Sequence, residues 1–195
     1  MADADDRALL VRAQSGDMAA FEQFVRLFEL RVRGLLGRIL NDERDVEEAA
    51  QDAFVQAWRH LDRFRGDSAP FTWLYRIAVN EALQRARRKR LDTQPLDDDK
   101  LSGLEYRDAP GAPRPLPPDL AAESHEVREF LAARLRQLPL GLRVPLVLRD
   151  LEDWSNQEIA DALELSLPAA KSRIHRARMQ IRYELETWLH ERDRS

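Results

Sequence analysis

Residues 155–182 read SNQEIADALELSLPAAKSRIHRARMQIR, a pattern of one helix, a tight turn and a second helix. Ser155 and Glu158 are spaced as a capping box, in which each side chain bonds the backbone N–H of the other residue. Ser166 is a suitable N-cap for the second helix, and Pro168 is tolerated in the first turn of that helix. Apolar residues in the second helix recur on one face, which predicts a core contact for Ala170, Ile174, Ala177 and Ile181.

The face left outward on this second helix is basic and polar. A short helix, a tight turn and a basic helix are what reading the DNA major groove requires. Arginine pairs with guanine edges or phosphate, whereas serine and lysine mostly hold phosphate. A plain helical hairpin on the surface of a bundle is the alternative interpretation. The outward residues are Lys171, Ser172, Arg173, His175, Arg176 and Arg178.

Helical periodicity extends over most of the chain. Asp17 predicts the start of a first long helix, and Asp45, with Glu48 three residues later, predicts the start of a second. No sustained period-2 alternation bounded by hairpin turns appears, so the predicted fold class is all-α. Other predicted helical segments are 71–90, 125–138 and 140–151.

Two packing expectations concern the first half of the chain. Gly34 and Gly37 lower the helix propensity of the first long helix, which leaves close helix packing or a bend as the reason for them. The second helix carries an apolar stripe that predicts burial of Val46, Ala49, Ala50, Ala53, Phe54, Ala57, Trp58 and Leu61.

A proline-rich stretch divides the helices into two groups. Six of the 10 prolines lie between Pro95 and Pro118, where neither a helix nor a central strand should persist. We predict an extended, acidic linker over residues 93–123. It separates two small helical domains, residues 1–92 and 124–195.

Local charge differs strongly from net charge. The 195-residue chain has a formal net charge of −4. Seven basic and two acidic residues nevertheless lie between Arg65 and Arg90, and five basic residues and no acid lie between Pro168 and Arg182. Two basic patches separated by an acidic stretch predict contacts with nucleic acid rather than evenly solvated helix faces.

The first basic patch differs from the second in its chemistry. An aromatic residue, two amides and two arginines share one face of the helix predicted over residues 71–90. Aromatics stack on exposed bases, amides read base edges and arginines hold the backbone, so this face suits unstacked bases better than a closed duplex. Core packing is the competing interpretation for the aromatic residue. The face comprises Trp73, Arg76, Asn80, Gln84 and Arg87.

Several classes of protein are disfavoured. The chain has no cysteine, which excludes a disulfide scaffold, a thiol nucleophile and a cysteine-ligated zinc site. The N-terminus is acidic where a signal peptide is basic, and no apolar run reaches membrane-spanning length. We therefore expect a cytoplasmic protein without membrane contact of its own, and without catalytic residues, metal or cofactor.

Two other functions account for less of the chain. A stand-alone helix-turn-helix regulator explains residues 155–182 but not the Trp73–Asn80–Arg87 face or the acidic linker. A helical carboxylate-metal oxidase would use the acids between Asp42 and Asp52, but its Glu-x-x-His pairs are absent.

Motifs on both sides of the linker resemble the extracytoplasmic-function sigma factors. Residues 62–68 (DRFRGDS) and 72–80 (TWLYRIAVN) resemble the promoter-melting segment of that family. Residues 46–54 (VEEAAQDAF), with Trp58, resemble its polymerase-binding helix. Residues 138–139 (LP), 155–160 (SNQEIA) and 171–178 (KSRIHRAR) resemble its C-terminal helix-turn-helix.

The resemblance implies a dissociable initiation subunit of bacterial RNA polymerase. Its first domain would bind the clamp of the largest polymerase subunit and melt the minus-10 element. Its second domain would read the minus-35 element, and an anti-sigma factor is the implied regulatory partner. The implied minus-10 residues are Phe64, Arg65, Asp67, Ser68, Ala69, Trp73, Arg76, Asn80, Gln84 and Arg87. The implied minus-35 residues are Ala169, Lys171, Ser172, Arg173, His175 and Arg176, and the implied polymerase-binding residues are Glu48, Gln51, Asp52 and Gln56.

One departure from the family pattern concerns the turn of the helix-turn-helix. Glu164 stands where family members commonly have glycine. A left-handed backbone at this position would therefore be strained, or the turn would avoid it.

Overall fold

The computed structural model describes residues 2–93 and 125–192. Within these ranges the chain is helical and contains no strand, which confirms the all-α class. Of the predicted linker, residues 93–123, only Thr93 is described, as the last residue of a helix; residues 94–123 lie outside the described ranges.

Four helices make up the first half. The helix α2 begins at the predicted N-cap, because the Asp17 carboxylate accepts a hydrogen bond from the backbone N–H of Ala20 at 3.0 Å. A short 3₁₀ turn, Leu61–Arg63, follows the third helix. The helices are α1 (Ala2–Gln14), α2 (Met18–Ile39), α3 (Glu43–Arg59) and α4 (Pro70–Thr93).

Four helices also make up the second half, close to the predicted segments. They are α5 (His125–Gln137), α6 (Leu140–Asp150), α7 (Asn156–Ala162) and α8 (Leu167–Arg192). The eighth helix packs against α5, α6 and α7, so it is the central element of this half.

The hydrophobic core is continuous between the two halves. Phe24, Leu35 and Leu36 of α2 are buried in the same cluster as Val147 and Leu148 of α6. Burial of apolar surface is the dominant favourable contribution to folding, so this shared cluster stabilises contact between the halves. The helix α2 packs against both α5 and α6.

One helix was missed and two local predictions were wrong. The helix α1 was not predicted, although Leu10 and Ala13 lie on its buried side. The third helix begins at Glu43 rather than near Asp45, because the carboxylate of Asp42 accepts the backbone N–H of Arg44 and caps the helix. Trp58 is 38% exposed instead of buried, although its ring lies 4.9 Å from that of Phe21.

Close packing does not explain the glycines of α2. A Cβ added at Gly34 or Gly37 would meet no atom within 4 Å, so neither residue makes room for a neighbouring helix. We expect Gly34→Ala to raise the free energy of unfolding by about 1 kcal/mol, because alanine has the higher helix propensity. The midpoint of urea denaturation would measure the change.

Gly16 provides the matched control for this prediction. A Cβ at Gly16 would also meet no atom within 4 Å, but its φ is +95°, in the left-handed region. Gly16→Ala should therefore lower the unfolding midpoint where Gly34→Ala raises it. Equal shifts of the same sign for both variants would contradict the explanation.

Candidate nucleic-acid interface

The short helix α7 begins with the predicted capping box. The hydroxyl of Ser155 accepts the backbone N–H of Glu158 at 3.1 Å, and the Glu158 carboxylate accepts the backbone N–H of Ser155 at 2.8 Å. These hydrogen bonds hold the pKa of Glu158 below its ordinary value. The start of the helix-turn-helix is thus set by two neighbouring side chains.

The turn between α7 and α8 contains a left-handed residue that is not glycine. Glu164 has a φ of +54°. The backbone N–H of the next residue, Leu165, donates to the carbonyl of Ala160 at 2.9 Å, which is the closing hydrogen bond of a Schellman turn. The turn therefore contains a strained left-handed residue at Glu164 and does not avoid that conformation.

Replacing this residue by glycine should stabilise the protein. A left-handed conformation costs a residue with a side chain roughly 1–2 kcal/mol, partly offset by the larger entropy that glycine loses on folding. We expect Glu164→Gly to raise the free energy of unfolding by about 1 kcal/mol. Glu164→Ala removes the same carboxylate but keeps the Cβ, so it should give no such gain in a denaturant titration. A larger gain from alanine than from glycine would show that charge, rather than backbone strain, governs this position.

The helix α8 presents the predicted minus-35 residues in two environments. Lys171 and Ser172 are exposed, whereas Ala169, Arg173, His175 and Arg176 are half-buried. The Nη1 atom of Arg173 lies 3.7 Å from the position that a Cβ on Gly141 would occupy. Arg173 therefore lies along the flank facing α6 rather than at the centre of the outward face.

The inner face of α8 is as predicted, and one outward arginine of α8 has a partner on another helix. Ala170, Ile174 and Ala177 are buried, and Ile181 is half-buried. Arg178 had been predicted to face outward as part of the basic surface. It is exposed as predicted, and it also makes a two-bond ion pair with Asp150 of α6, one bond being 3.0 Å from Nε to Oδ2. This pair raises the pKa of Arg178 and ties α8 to α6.

The predicted minus-10 face of α4 is partly open and partly packed. Asn80, Gln84 and Arg87 are exposed along one side of the helix. Trp73 and Arg76 are half-buried, and the ring of Trp73 lies 5.3 Å from that of Phe64. The competing interpretation of Trp73 as a packing residue is therefore partly right.

The loop before α4 also differs from the expectation at one residue. Phe64 is only 6% exposed, because its ring packs beneath Trp73. Arg65 and Asp67 are exposed, and Ser68 and Ala69 are half-buried. Phe64 therefore supports the loop from below, and the exposed and half-buried residues after it form the accessible surface.

No sequence pattern indicated the side chain that holds this loop. Gln14 of α1 donates from Nε2 to the carbonyls of Leu61 and Phe64, each at 2.8 Å. These bonds join α1 to a segment about fifty residues further along the chain, so no local pattern could have indicated them. They fix the backbone on the N-terminal side of the loop.

The predicted polymerase-binding residues lie along α3 and are partly paired with α4. Glu48 accepts hydrogen bonds from Arg44 and Arg85, and these bonds lower the pKa of Glu48. Arg85 also donates to Asp52 at 2.9 Å. Gln51 and Asp52 are exposed, whereas Glu48 and Gln56 are half-buried. The residues most accessible to a partner are thus Gln51 and Asp52.

Two parts of the chain match known protein families. Residues 24–91 match the family Sigma-70 region 2, which spans α2 to most of α4. Residues 129–181 match the family Sigma-70, region 4, which contains the helix-turn-helix.

Similarity to curated proteins extends over nearly the whole chain. The chain is 35% identical to the RNA polymerase sigma-H factor of Pseudomonas aeruginosa, over 95% of this chain and 96% of that protein. This chain belongs to the extracytoplasmic-function family of RNA polymerase sigma factors. It is also 35% identical to the ECF RNA polymerase sigma-E factor of Escherichia coli K12, over 90% of this chain and 92% of that protein.

Solved structures of ECF sigma factors share the fold. CnrH, determined in complex with the cytosolic domain of CnrY, is 28% identical, with a TM-score of 0.62 over 94% of this chain and 98% of CnrH. The sigma factor RpoE of Bartonella quintana, in complex with the anti-sigma factor NepR, is 23% identical, with a TM-score of 0.63 over 85% of this chain and 96% of that one.

Family membership establishes the general role. An ECF sigma factor supports promoter-specific transcription initiation with RNA polymerase. Among the residues that the structure describes, no cluster of His, Asp or Glu could hold a metal ion. None of the described helices is both long enough and apolar enough to cross a membrane.

Proposed function

We propose that this ECF sigma factor melts the minus-10 element with its first half and reads the minus-35 element as duplex with its second. The observation that carries the proposal is the difference between its two basic faces. One face places exposed amides and an arginine on a single helix, and the other belongs to a helix-turn-helix. The first face suits unpaired bases, and the second suits the major groove of duplex DNA.

The minus-10 surface comprises the outer line of α4 and the loop before it. Asn80, Gln84 and Arg87 are accessible without any rearrangement. Trp73 exposes part of a ring that is supported from below by Phe64. A base that leaves the duplex would stack on the open edge of Trp73 and bond to the amide of Asn80.

The minus-35 surface is the outward side of α8. Lys171 and Ser172 are exposed and would hold phosphate, and Arg176 lies one turn further along on the flank of the same surface. Its Nε is buried and makes no hydrogen bond within the described residues, which leaves the terminal nitrogens as the donors for a base edge.

Two protein partners complete the proposal. Core RNA polymerase would bind α3 through its exposed residues, chiefly Gln51 and Asp52, with Glu48 and Gln56 beside them. An anti-sigma factor is the proposed regulator. The complexes in which CnrH and the Bartonella RpoE were determined support a regulator of this kind.

The proposal is tested by transcription with purified components. The chain should co-elute with core RNA polymerase and direct transcripts from a candidate promoter, with little duplex binding in the absence of core. Tight duplex binding by the chain alone, with no affinity for core, would instead indicate a stand-alone helix-turn-helix regulator.

A further inference from the structure

The first helix contacts the loop before α4 and the turn that leads into it. Nε2 of Gln14, the last residue of α1, donates to the carbonyls of Leu61 and Phe64, each at 2.8 Å. Two turns earlier on α1, Nη1 of Arg7 lies 3.0 Å from the position that a Cβ on Gly66 would occupy. The helix α1 therefore lies against this segment both where the loop begins and within the loop itself.

The spacing of these residues places both contacts on one side of α1. Arg7, Leu10 and Gln14 are spaced i, i+3 and i+7, so they share one stripe of the helix. Leu10 is fully buried, and α1 packs against both α4 and the 3₁₀ turn Leu61–Arg63. The buried leucine thus fixes α1 in the first half of the molecule, and the two polar side chains on either side of it extend to the loop.

The two hydrogen bonds from Gln14 match the donor capacity of its side chain. A glutamine amide carries two N–H donors on Nε2. The carbonyls that accept them belong to the first residue of the 3₁₀ turn and to the residue after it. The turn itself is closed by the backbone N–H of Phe64, which donates to the carbonyl of Leu61 at 3.2 Å. Gln14 therefore bonds both ends of the turn from outside it.

The backbone that Gln14 holds also supports the proposed minus-10 surface. Phe64 is buried, and the centroid of its ring lies 5.3 Å from that of Trp73. The residues just after Phe64 include the exposed Arg65 and Asp67. Holding a loop in its bound shape in advance lowers the entropic cost of binding. The contact between Gln14 and the Phe64 carbonyl thus acts on the stacking ring and on the exposed part of the loop together.

We propose that α1 is a positioning element for promoter melting, in which Gln14 holds the loop before α4 in the shape that receives an unpaired base. Gln14 is a positioning residue, because it acts through the backbone of Leu61 and Phe64 rather than by contact with DNA. This inference rests on the proposed function, which assigns the loop to base capture. The match to Sigma-70 region 2 begins at residue 24, after α1, and assigns this helix no role.

Gln14→Glu tests the contact with little change of shape. Glutamate has the same length but no donor when it is ionised. Gln14 is exposed, so the substitution removes no buried apolar surface. We expect hydrogen exchange at the amides of Arg63 and Phe64, whose hydrogen bonds form the 3₁₀ turn, to quicken by about tenfold in the full chain.

A matched control and a rescue variant accompany this measurement. Gln23→Glu makes the same change at an exposed amide of α2 and should leave both exchange rates at the parent value. Gln14→Lys restores hydrogen-bond donors at the same position, because an ammonium carries three of them on a side chain one bond longer. It should return most of the protection of the two amides.

Transcription by the holoenzyme supplies the readout that a merely structural role would not move. Gln14→Glu should slow the opening of duplex promoters by about threefold to tenfold, because the loop must then be ordered during capture. Preference among the four bases at the captured position should weaken by a similar factor. Gln14→Lys should recover both the opening rate and the preference, and Gln23→Glu should change neither.

The outcomes separate this role of α1 from the proposed function. Parent exchange rates in Gln14→Glu, or faster exchange with an unchanged base preference, would overturn the positioning role even if promoters open normally. Failure of Gln14→Lys to restore the base preference would also contradict it. If the parent holoenzyme binds promoters without melting them, the proposed function fails and base capture fails with it, while faster exchange in Gln14→Glu would still show that Gln14 holds the loop.

Discussion

Asn80→Ala is expected to slow promoter opening on duplex DNA by about fivefold to 150-fold, while closed-complex binding changes less than twofold. The loss corresponds to roughly 1–3 kcal/mol, the contribution of a well-placed amide contact to a base edge. Asn80 is exposed on α4, so its replacement leaves the core of the first half intact. Open-complex formation on duplex promoter would be followed by permanganate reactivity of unpaired thymines.

A pre-melted template provides the first comparison. If Asn80 captures a base during melting, a template with an unpaired minus-10 segment should recover most of the lost rate. Equal impairment on duplex and pre-melted templates would assign Asn80 to DNA binding in general.

A surface control is available on α2. Gln23 of α2 is likewise an exposed amide, and Gln23→Ala should open promoters at the parent rate. Trp73 is less suitable for this test, because its ring packs on Phe64 and alanine there would also disturb the loop.

Arg176→Ala is expected to lower discrimination between the preferred minus-35 sequence and its single-base variants. The expected loss is about 1–3 kcal/mol at the base pair that the arginine reads, or roughly fivefold to 150-fold in relative affinity. Binding of the holoenzyme to a series of minus-35 variants would identify the affected position. An unchanged preference across the series would exclude Arg176 from base reading.

Lys171 is the matched control on the same helix. It is exposed, and under the proposed function it holds phosphate, so Lys171→Ala should weaken binding to every sequence by a similar factor. It should also reduce the slope of log binding constant against log salt concentration by about one. The two variants thus separate base reading from phosphate contact.

Features that depend on neighbouring residues were well predicted from the sequence. The N-cap of Asp17 and the capping box of Ser155 and Glu158 have the expected hydrogen bonds. Such bonds join residues three positions apart, within the reach of a sequence pattern. The start of α3 was misplaced because Asp42 and Asp45 both suit an N-cap, and the sequence does not distinguish between them.

Predictions that depend on which side chains cover one another were less successful. Phe64 and Trp73 were expected at the DNA surface, yet one is buried and the other half-buried because they pack together. Arg178 faces outward as expected, but it is paired with Asp150 of another helix, which no sequence pattern indicated. In each case the decisive partner lies on a different element.

The all-α class, the bounds of most helices and the resemblance to the ECF sigma factors could all be predicted from the sequence alone. These properties follow from caps, helical periodicity and motifs, which are local along the chain. Which charged residues stay accessible and which are paired depends instead on the tertiary packing. Arg143, for example, bonds the carbonyl of Ile39 from 104 residues away. Such contacts depend on how the halves pack, and packing is decided by the shape of buried surfaces that no sequence pattern describes.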